Sequence, residues 1–512
     1  MENLFHLSAE SADRFALTLR PATFMLCIIL LSVAISKFSL ETKWASFFTD
    51  TKSYWKTQWE LFTYPITGHS RIMEAYSQMN GKAIRINSPE SWMTLVSSPE
   101  LINDIKNATN EQLSLHAAAK EILKPKFTMN GFNWHDQRGV EGIGFVRTLR
   151  TLLTCHLPQM TPGTRLIIDK TFSEAIGPGG DSINVLTLCK KVVTNISAYA
   201  FFGLDYVGDD EFVNAAYYYN EDVLYGSELI RITPKIFVPV VGLFLPFFLK
   251  RQRIFFYGLV AIIEERMKDT GSAKKHNDVI QWIINTSPKS KPWTPDRMAF
   301  EIMAIWFGSV QGLATTLAFA IFSLCSHPEY IEPLREEVEG PDGSRFLIEG
   351  EGLPLMDSFL KECSRWTPVE SVTARRCALK DFTFSDGTRV AKGEWVGIPV
   401  GGILQDDLYY PEPRAFNGFR FADPTIFGAK TSTQPEGPSK FTDVSDTWHV
   451  WGTGKLTCPG RFFVSYAMKH IMFHVLEHYE PEMADNDCRH TINWRTLTLP
   501  AYNVRATLKP RT

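Results

Sequence analysis

The chain lacks any Cys-x-x-Cys pair, any strong excess of one charge and any convincing dinucleotide-binding turn. Its eight cysteines (27, 155, 189, 325, 363, 377, 458 and 488) are scattered over 512 residues. That scatter argues against a zinc finger and against a disulfide framework, and it suggests a reducing compartment. A net charge of −3 leaves no electrostatic reason for a nucleic-acid partner. The run GPGGD at 177–181 lacks the strand-to-helix context and spacing of a dinucleotide site, and GTGK at 452–455 has His449 and Leu456 where a phosphate loop needs Gly and Ser or Thr. What is present is a composition 44% apolar and 13% aromatic, which suits a large buried core. Three Asn-x-Ser/Thr sequons begin at Asn107, Asn195 and Asn285; in a cytosolic body they are chance matches.

Near the amino end the run 21–36 is uncharged and mostly apolar, short of the ~20 residues a span normally needs. Phe15–Leu19 extend it if Arg20 snorkels, and Lys37 can do the same at the other end. A cleaved signal peptide would have a basic region ahead of the run, where Glu2, Glu10 and Asp13 stand instead. A buried core helix is the third option. The expectation is a segment 1–45 with one membrane anchor at about 16–38, and a single catalytic domain at 46–512. Charges around the anchor are too balanced to set its orientation.

Further on, 82–86 reads as a strand and 98–108 as a helix capped by Ser98 and Pro99. The polar, glycine-containing stretch 110–144 reads as loop-rich, and 145–157 returns to helix, with Arg147 and Arg150 a turn apart and able to face a buried anion. The run 236–248 is apolar but broken by Pro239, Gly242 and Pro246, with basic Lys235, Lys250, Arg251 and Arg253 around it. It reads as a buried turn or as a loop dipping into a membrane surface. From Asp296 to Ser326 there is no proline, and the charges are Asp296, Arg297 and Glu301 alone. With Thr294 as cap, that predicts a central helix of ~30 residues. A second span is its rival, but Gly308, Ser309, Gln311 and Gly312 suit a helix lining a cavity. The stretch 353–368 reads as an amphipathic helix whose Glu362 and Arg365 share a face. Short strands with a turn at 385–387 follow.

The most specific string is WGTGKLTCPGRFF at 451–463. Cys458 sits between glycines at 454 and 460, ahead of a helical pattern through Phe462, Phe463, Tyr466, Ala467, Met468, Ile471, Val475 and Leu476, with Pro459 where a first helical turn tolerates it. Free amides and the helix dipole there favour an anion and are expected to lower the thiol pKa. A lone cysteine is usually a small core hydrophobe. A thiolate on a glycine loop is also what a fifth ligand to haem iron requires.

This string resembles the haem-ligand signature of the cytochrome P450 family, with Trp451 in place of the usual Phe and Leu456 in place of the usual Arg or His. A long central helix, E-x-x-R, an Arg within FNGFRF and the cysteine loop stand in that family's order, and the resemblance runs from about residue 70 to the end. The strings HPEYIEPLREE, LPLMDSFLKECSR, LKDFTFSDGTRVAKG and CPGRFF look most like microsomal enzymes of filamentous fungi that tailor secondary metabolites. The resemblance implies a mainly α fold with small β-sheets, haem b held by Cys458, and a buried triad of Glu362, Arg365 and Arg420. It also implies Arg376 on a haem propionate, with Lys455 and one of Arg147 and Arg150 as further contacts. Counted back from His327-Pro328-Glu329, the family's acid/His–Thr pair falls on Gln311-Gly312. Thr315 and Thr316 lie a turn further on, as substitutes for it or as packed threonines.

The implied activity is oxidation of a lipophilic terpenoid, polyketide or alkaloid intermediate with molecular oxygen. An NADPH-cytochrome reductase of the same membrane supplies electrons, and the enzyme is a single-pass protein of the endoplasmic reticulum with a cytosolic catalytic domain. The departure at Gln311-Gly312 keeps two alternatives open. One is a haem-thiolate isomerase or dehydratase without oxygen activation; the other is a non-catalytic haem- or lipid-binding membrane protein.

Overall fold

The computed structural model describes residues 51–134, 144–207, 210–234, 236–269, 276–289, 292–427, 438–484 and 490–511. The expected anchor, together with Cys27, Lys235 and Cys488, lies outside them. Helices dominate: α1 (Thr51–Met79), α2 (Thr154–Ala175), α3 (Val185–Phe202), α4 (Asp210–Ile232), α5 (Val238–Phe248), α6 (Lys250–Lys268), α7 (Pro295–Ser326), α8 (Pro354–Trp366) and α9 (Arg461–His478). Shorter helices join them. The largest of four small sheets orders its strands as 84–87, 92–95, 395–398, 373–378 and 113–114.

The central helix forms as its sequence predicts. Thr294 caps α7 by accepting from the Arg297 amide at 3.2 Å, and Pro295 occupies the first turn, where it has no amide bond to lose. Its apolar surface on all sides is explained by its neighbours, since α3, α6 and α8 pack around it. Trp306 is the hub of that packing. Its ring stacks on Phe202 at 5.0 Å, meets Phe201 edge-on at 5.6 Å, lies 5.6 Å from Phe255, and donates its Nε1–H to the Ala216 carbonyl at 2.9 Å. One side chain thus joins α3, α4, α6 and α7.

By length and composition, α3 and α7 could each cross a membrane, yet their most apolar stretches are 72% and 61% buried within the body. They are core helices. A different helix carries the exposed apolar surface. Residues 238–248 form α5 and are neither a buried turn nor a loop. Pro239 falls in the first turn and Pro246 near the end, so the two prolines punctuate the helix without breaking it. Leu245 is its one buried residue, while Leu243, Phe247 and Phe248 are 67%, 63% and 71% exposed.

Two other expectations change. Within 110–144, Ser114 caps a helix at Leu115–Leu123, accepting from the Ala117 amide at 3.0 Å, and a short helix follows at Pro125–Thr128. The helix expected at 145–157 is longer, running from a first turn at Gly144–Arg147 through a π turn at Thr148–Leu153 into α2. That widened turn carries Arg150. By contrast, the strand at 84–87 and the Ser98-capped helix at Pro99–Asn107 stand within a residue or two of expectation.

Replacing the hub tests this account. Trp306→Ala is expected to cost about 3–5 kcal/mol, the range for a large buried aromatic, read as a lower urea midpoint with little change in slope.

Candidate active site

The cysteine loop is built just ahead of α9. Gly452 and Gly454 adopt φ of +78° and +63°, a region in which a side chain would be strained. The Cys458 amide donates to the Trp451 carbonyl at 2.8 Å, which closes the loop on itself. Helix α9 begins at Arg461 with Gly460 as its cap, so Pro459 precedes the helix and does not occupy its first turn. The amides of Gly460 and Arg461 donate toward the sulfur. Nevertheless burial pushes the Cys458 thiol up, and these amides with the Arg461 and Arg150 guanidiniums only oppose that rise. The expected lowering by the helix end is therefore overturned: desolvation outweighs the local amides. Deprotonation at this cysteine needs a stronger partner, such as a metal cation.

Arg461 was not singled out from the sequence, although it stands in the same string. It donates to the Cys458 carbonyl at 3.1 Å and to the Thr442 carbonyl at 3.0 Å, bracing the loop from the helix side. Arg150 reaches the loop from the π turn, donating to the Thr457 carbonyl at 3.4 Å. Arg147 is exposed on the turn before, and Lys455 is exposed on the short 3-10 turn Gly454–Leu456. Of these four basic residues, Arg461 and Arg150 contact the loop's backbone.

Arg376 lies on the strand Thr373–Ala378, whose burial alternates so that Ala374, Arg376 and Ala378 face inward. Its neighbour Arg375 faces the other way and pairs with Glu370 at 2.6 Å. Arg376 is 4% exposed, and its recorded hydrogen bond is to the Arg375 carbonyl at 2.8 Å. Among the described residues it has no carboxylate partner. Burial alone draws its guanidinium down to about 10, so it remains a cation at neutral pH. A buried cation without an anion is costly, and an anionic ligand would remove that cost.

The Glu362 carboxylate lies between two guanidiniums: its Oε2 is 2.6 Å from Arg365 and 3.0 Å from Arg420, and all three side chains are fully buried. Arg365 also donates to the carbonyls of Leu404 and Pro413, at 3.0 and 2.7 Å. Arg420 donates to those of Pro411 and Ala415, at 2.6 and 3.0 Å. Glu362 in turn accepts from the Asn417 amide at 2.9 Å.

On α7, Gly308, Gln311, Gly312 and Thr315 fall along one stripe of the helix. A Cβ added at Gly308 or Gly312 would meet nothing within 4 Å, so open space adjoins the stripe. Among the described residues the Gln311 Oε1 atom, buried there, has no partner. Thr316 donates its hydroxyl to the Gly312 carbonyl at 2.9 Å, and Thr315 is packed at 1% exposure.

Comparison with known proteins matches residues 59–508 to the family described as cytochrome P450. Among curated proteins, the chain is 28% identical over 447 residues to cytochrome P450 monooxygenase janQ of Penicillium janthinellum, covering 83% of this chain and 85% of that one. It is 27% identical over 465 residues to cytochrome P450 monooxygenase paxQ of Penicillium paxilli, covering 86% of each. Among solved structures it resembles the retinoic acid bound cyanobacterial CYP120A1, with TM-score 0.68 and 15% identity over 88% of this chain and 96% of that one. It also resembles the cytochrome P450DA heme domain, with TM-score 0.64 and 12% identity over 87% and 94%. At such identities, these two structures speak for the fold alone.

The buried carboxylate makes a direct test. Glu362→Gln leaves two guanidiniums facing each other in the core and is expected to destabilise the chain by about 3–5 kcal/mol. Equilibrium unfolding of the variant against the parent chain measures it.

Proposed function

The chain belongs to the cytochrome P450 family, and from that membership we propose a haem-thiolate monooxygenase that oxidises a lipophilic secondary-metabolite intermediate of terpenoid, polyketide or alkaloid type. The observation that carries this reading is Cys458, set on a closed glycine loop beneath the amides of Gly460 and Arg461. Family membership implies haem b, and the residues present fit it. The sulfur has donors around it, Arg376 is a buried cation with no carboxylate beside it among the described residues, and the glycine stripe of α7 adjoins open space.

In this reading Cys458 would hold the haem iron through its sulfur, and Arg376 would hold a carboxylate of the haem. Arg150 is preferred to Arg147 as a second basic contact because it already touches the cysteine loop. Lys455 is a further candidate, and Glu362, Arg365 and Arg420 keep the supporting loop in shape. When bound, the haem supplies oxygen activation, which a thiolate ligand favours. The chain's own contribution is to position the substrate, exclude water and hold protons. Gln311 can hold a water through its unpartnered Oε1, but its amide has no readily exchanged acidic proton to pass on. Thr316 is engaged with the Gly312 carbonyl and Thr315 is packed. Proton delivery therefore falls to ordered water or to a hydroxyl of the substrate.

Electrons come from a separate NADPH-cytochrome reductase. A single amino-terminal anchor holds the enzyme to the endoplasmic reticulum with its catalytic domain in the cytosol. The exposed apolar face of α5 supports membrane contact. Gln311-Gly312 favours one second reading, an isomerase or dehydratase that acts on an already oxidised substrate and needs no oxygen.

Microsomes holding this protein and a reductase, given the intermediate that accumulates when the host lacks the gene, decide between the two. The expected product gains one labelled oxygen from heavy-isotope dioxygen and forms only with NADPH. An isomeric or dehydrated product formed without NADPH would sink the first reading and establish the second. Separately, Arg376→Leu is expected to lower haem content several-fold at unchanged protein yield, read by haemochrome absorbance.

A further inference from the structure

Far along α9 from the cysteine loop, we propose that Asp169, His474 and His478 form a binding site for a divalent transition-metal ion of the zinc class. His474 and His478 are one helical turn apart on one face of α9, and α2, which packs against it, supplies Asp169. One ligand atom from each of the three lies within 4.8 Å of the others. The two imidazole ring centres are 4.6 Å apart.

A second observation points the same way. His474 is 8% exposed, its Nδ1 lies 3.1 Å from the Asp169 carboxylate, and its Nε2 is buried with no partner among the described residues. An imidazole nitrogen shut away from water without a partner is costly to keep. Its Nδ1, turned to the Asp169 carboxylate, is the nitrogen placed to ligate an ion that Asp169 and His478 share.

Tetrahedral zinc with bonds of about 2.0–2.1 Å needs its ligand atoms about 3.3 Å apart. His478 and Asp169 are exposed, with side chains 46% and 54% accessible, so they can close by rotamer changes while His474 stays in place. The nearby cation Arg165 is paired with Glu477 at 3.0 Å, and the same carboxylate lies 3.3 Å from the His478 Nε2. Its charge is therefore compensated, and Glu477 is placed to support His478. Three protein ligands leave a position for water. The bound ion would clamp the end of α9 to α2, the helix that continues from the π turn carrying Arg150. This inference stands independently of the reaction proposed above.

The test uses the full-length haem-loaded chain without a histidine tag, stripped with chelator and titrated with zinc alone. One zinc per chain is expected, with an absorption-edge spectrum showing two imidazole nitrogens and a raised melting temperature. His478→Ala and Asp169→Asn alter exposed side chains, and each is expected to weaken binding at least tenfold and to abolish the rise. Zinc binding unchanged in both variants, or no saturable binding by millimolar zinc, would overturn the assignment.

Discussion

A carboxylate with no access to water, held between two guanidiniums, is the constraint on which the long irregular stretch ahead of the cysteine loop depends. Glu362 offers two oxygens, and Arg365, Arg420 and the Asn417 amide approach them at 2.6 to 3.0 Å. The ion pairs alone do not explain why such a cluster is kept, since a buried pair often breaks even against apolar packing. Its value lies in the remaining donors. The chain from 404 to 420 has no regular secondary structure, so its carbonyls have no ladder to join, and buried carbonyls need donors. The two arginines supply them at Leu404, Pro411, Pro413 and Ala415. Glu362 neutralises the arginines, and the arginines shape the loop.

The adjacent pair Arg375–Arg376 shows how a sheet can separate two like charges. Alternation along the strand sends Arg375 to Glu370 and Arg376 inward. The strand does not run smoothly into this arrangement. Its register with the strand 395–398 shifts between Thr373 and Arg376, and Ala374 there adopts φ of +51°, an unfavourable region for a residue with a Cβ. A bulge next to an inward-facing cation is a usual way to re-aim a side chain.

How much of this could be read from sequence varied with the kind of signal. The central helix was legible because a proline-free apolar run of that length, with a Thr-Pro start, has one simple outcome. Glu362 and Arg365 were legible as neighbours on a helix face, but nothing local links them to Arg420, and only the family resemblance joined the three. Residues 238–248 were misread because proline and glycine were counted without their positions: Pro239 in a first turn costs a helix almost nothing. The cysteine was misread in the opposite way. Its place ahead of a helix suggested a lowered thiol pKa, whereas burial, invisible in the sequence, pushes it up. Arg461 was passed over although it stands three residues from Cys458, because nothing in the string indicates that its donors turn back onto the loop.

The α7 stripe separates two roles that one helix face usually combines, making room and moving protons. Gly308 and Gly312 provide the room, since neither would meet an obstacle if it gained a Cβ. Proton movement has no acidic or basic group on that stripe: Gln311 is an amide, Gly312 has no side chain and Thr315 is packed, while beside the stripe the Thr316 hydroxyl donates to the Gly312 carbonyl. A Cβ at 312 would meet no neighbour, so the glycine there is not imposed by crowding at that atom. Open space adjoins Gly312, and Gln311 Oε1 is a buried acceptor beside it with no partner among the described residues. If a substrate hydroxyl fills that position, choice of substrate and delivery of protons become one property of the site. Substrates lacking the hydroxyl would then turn over poorly.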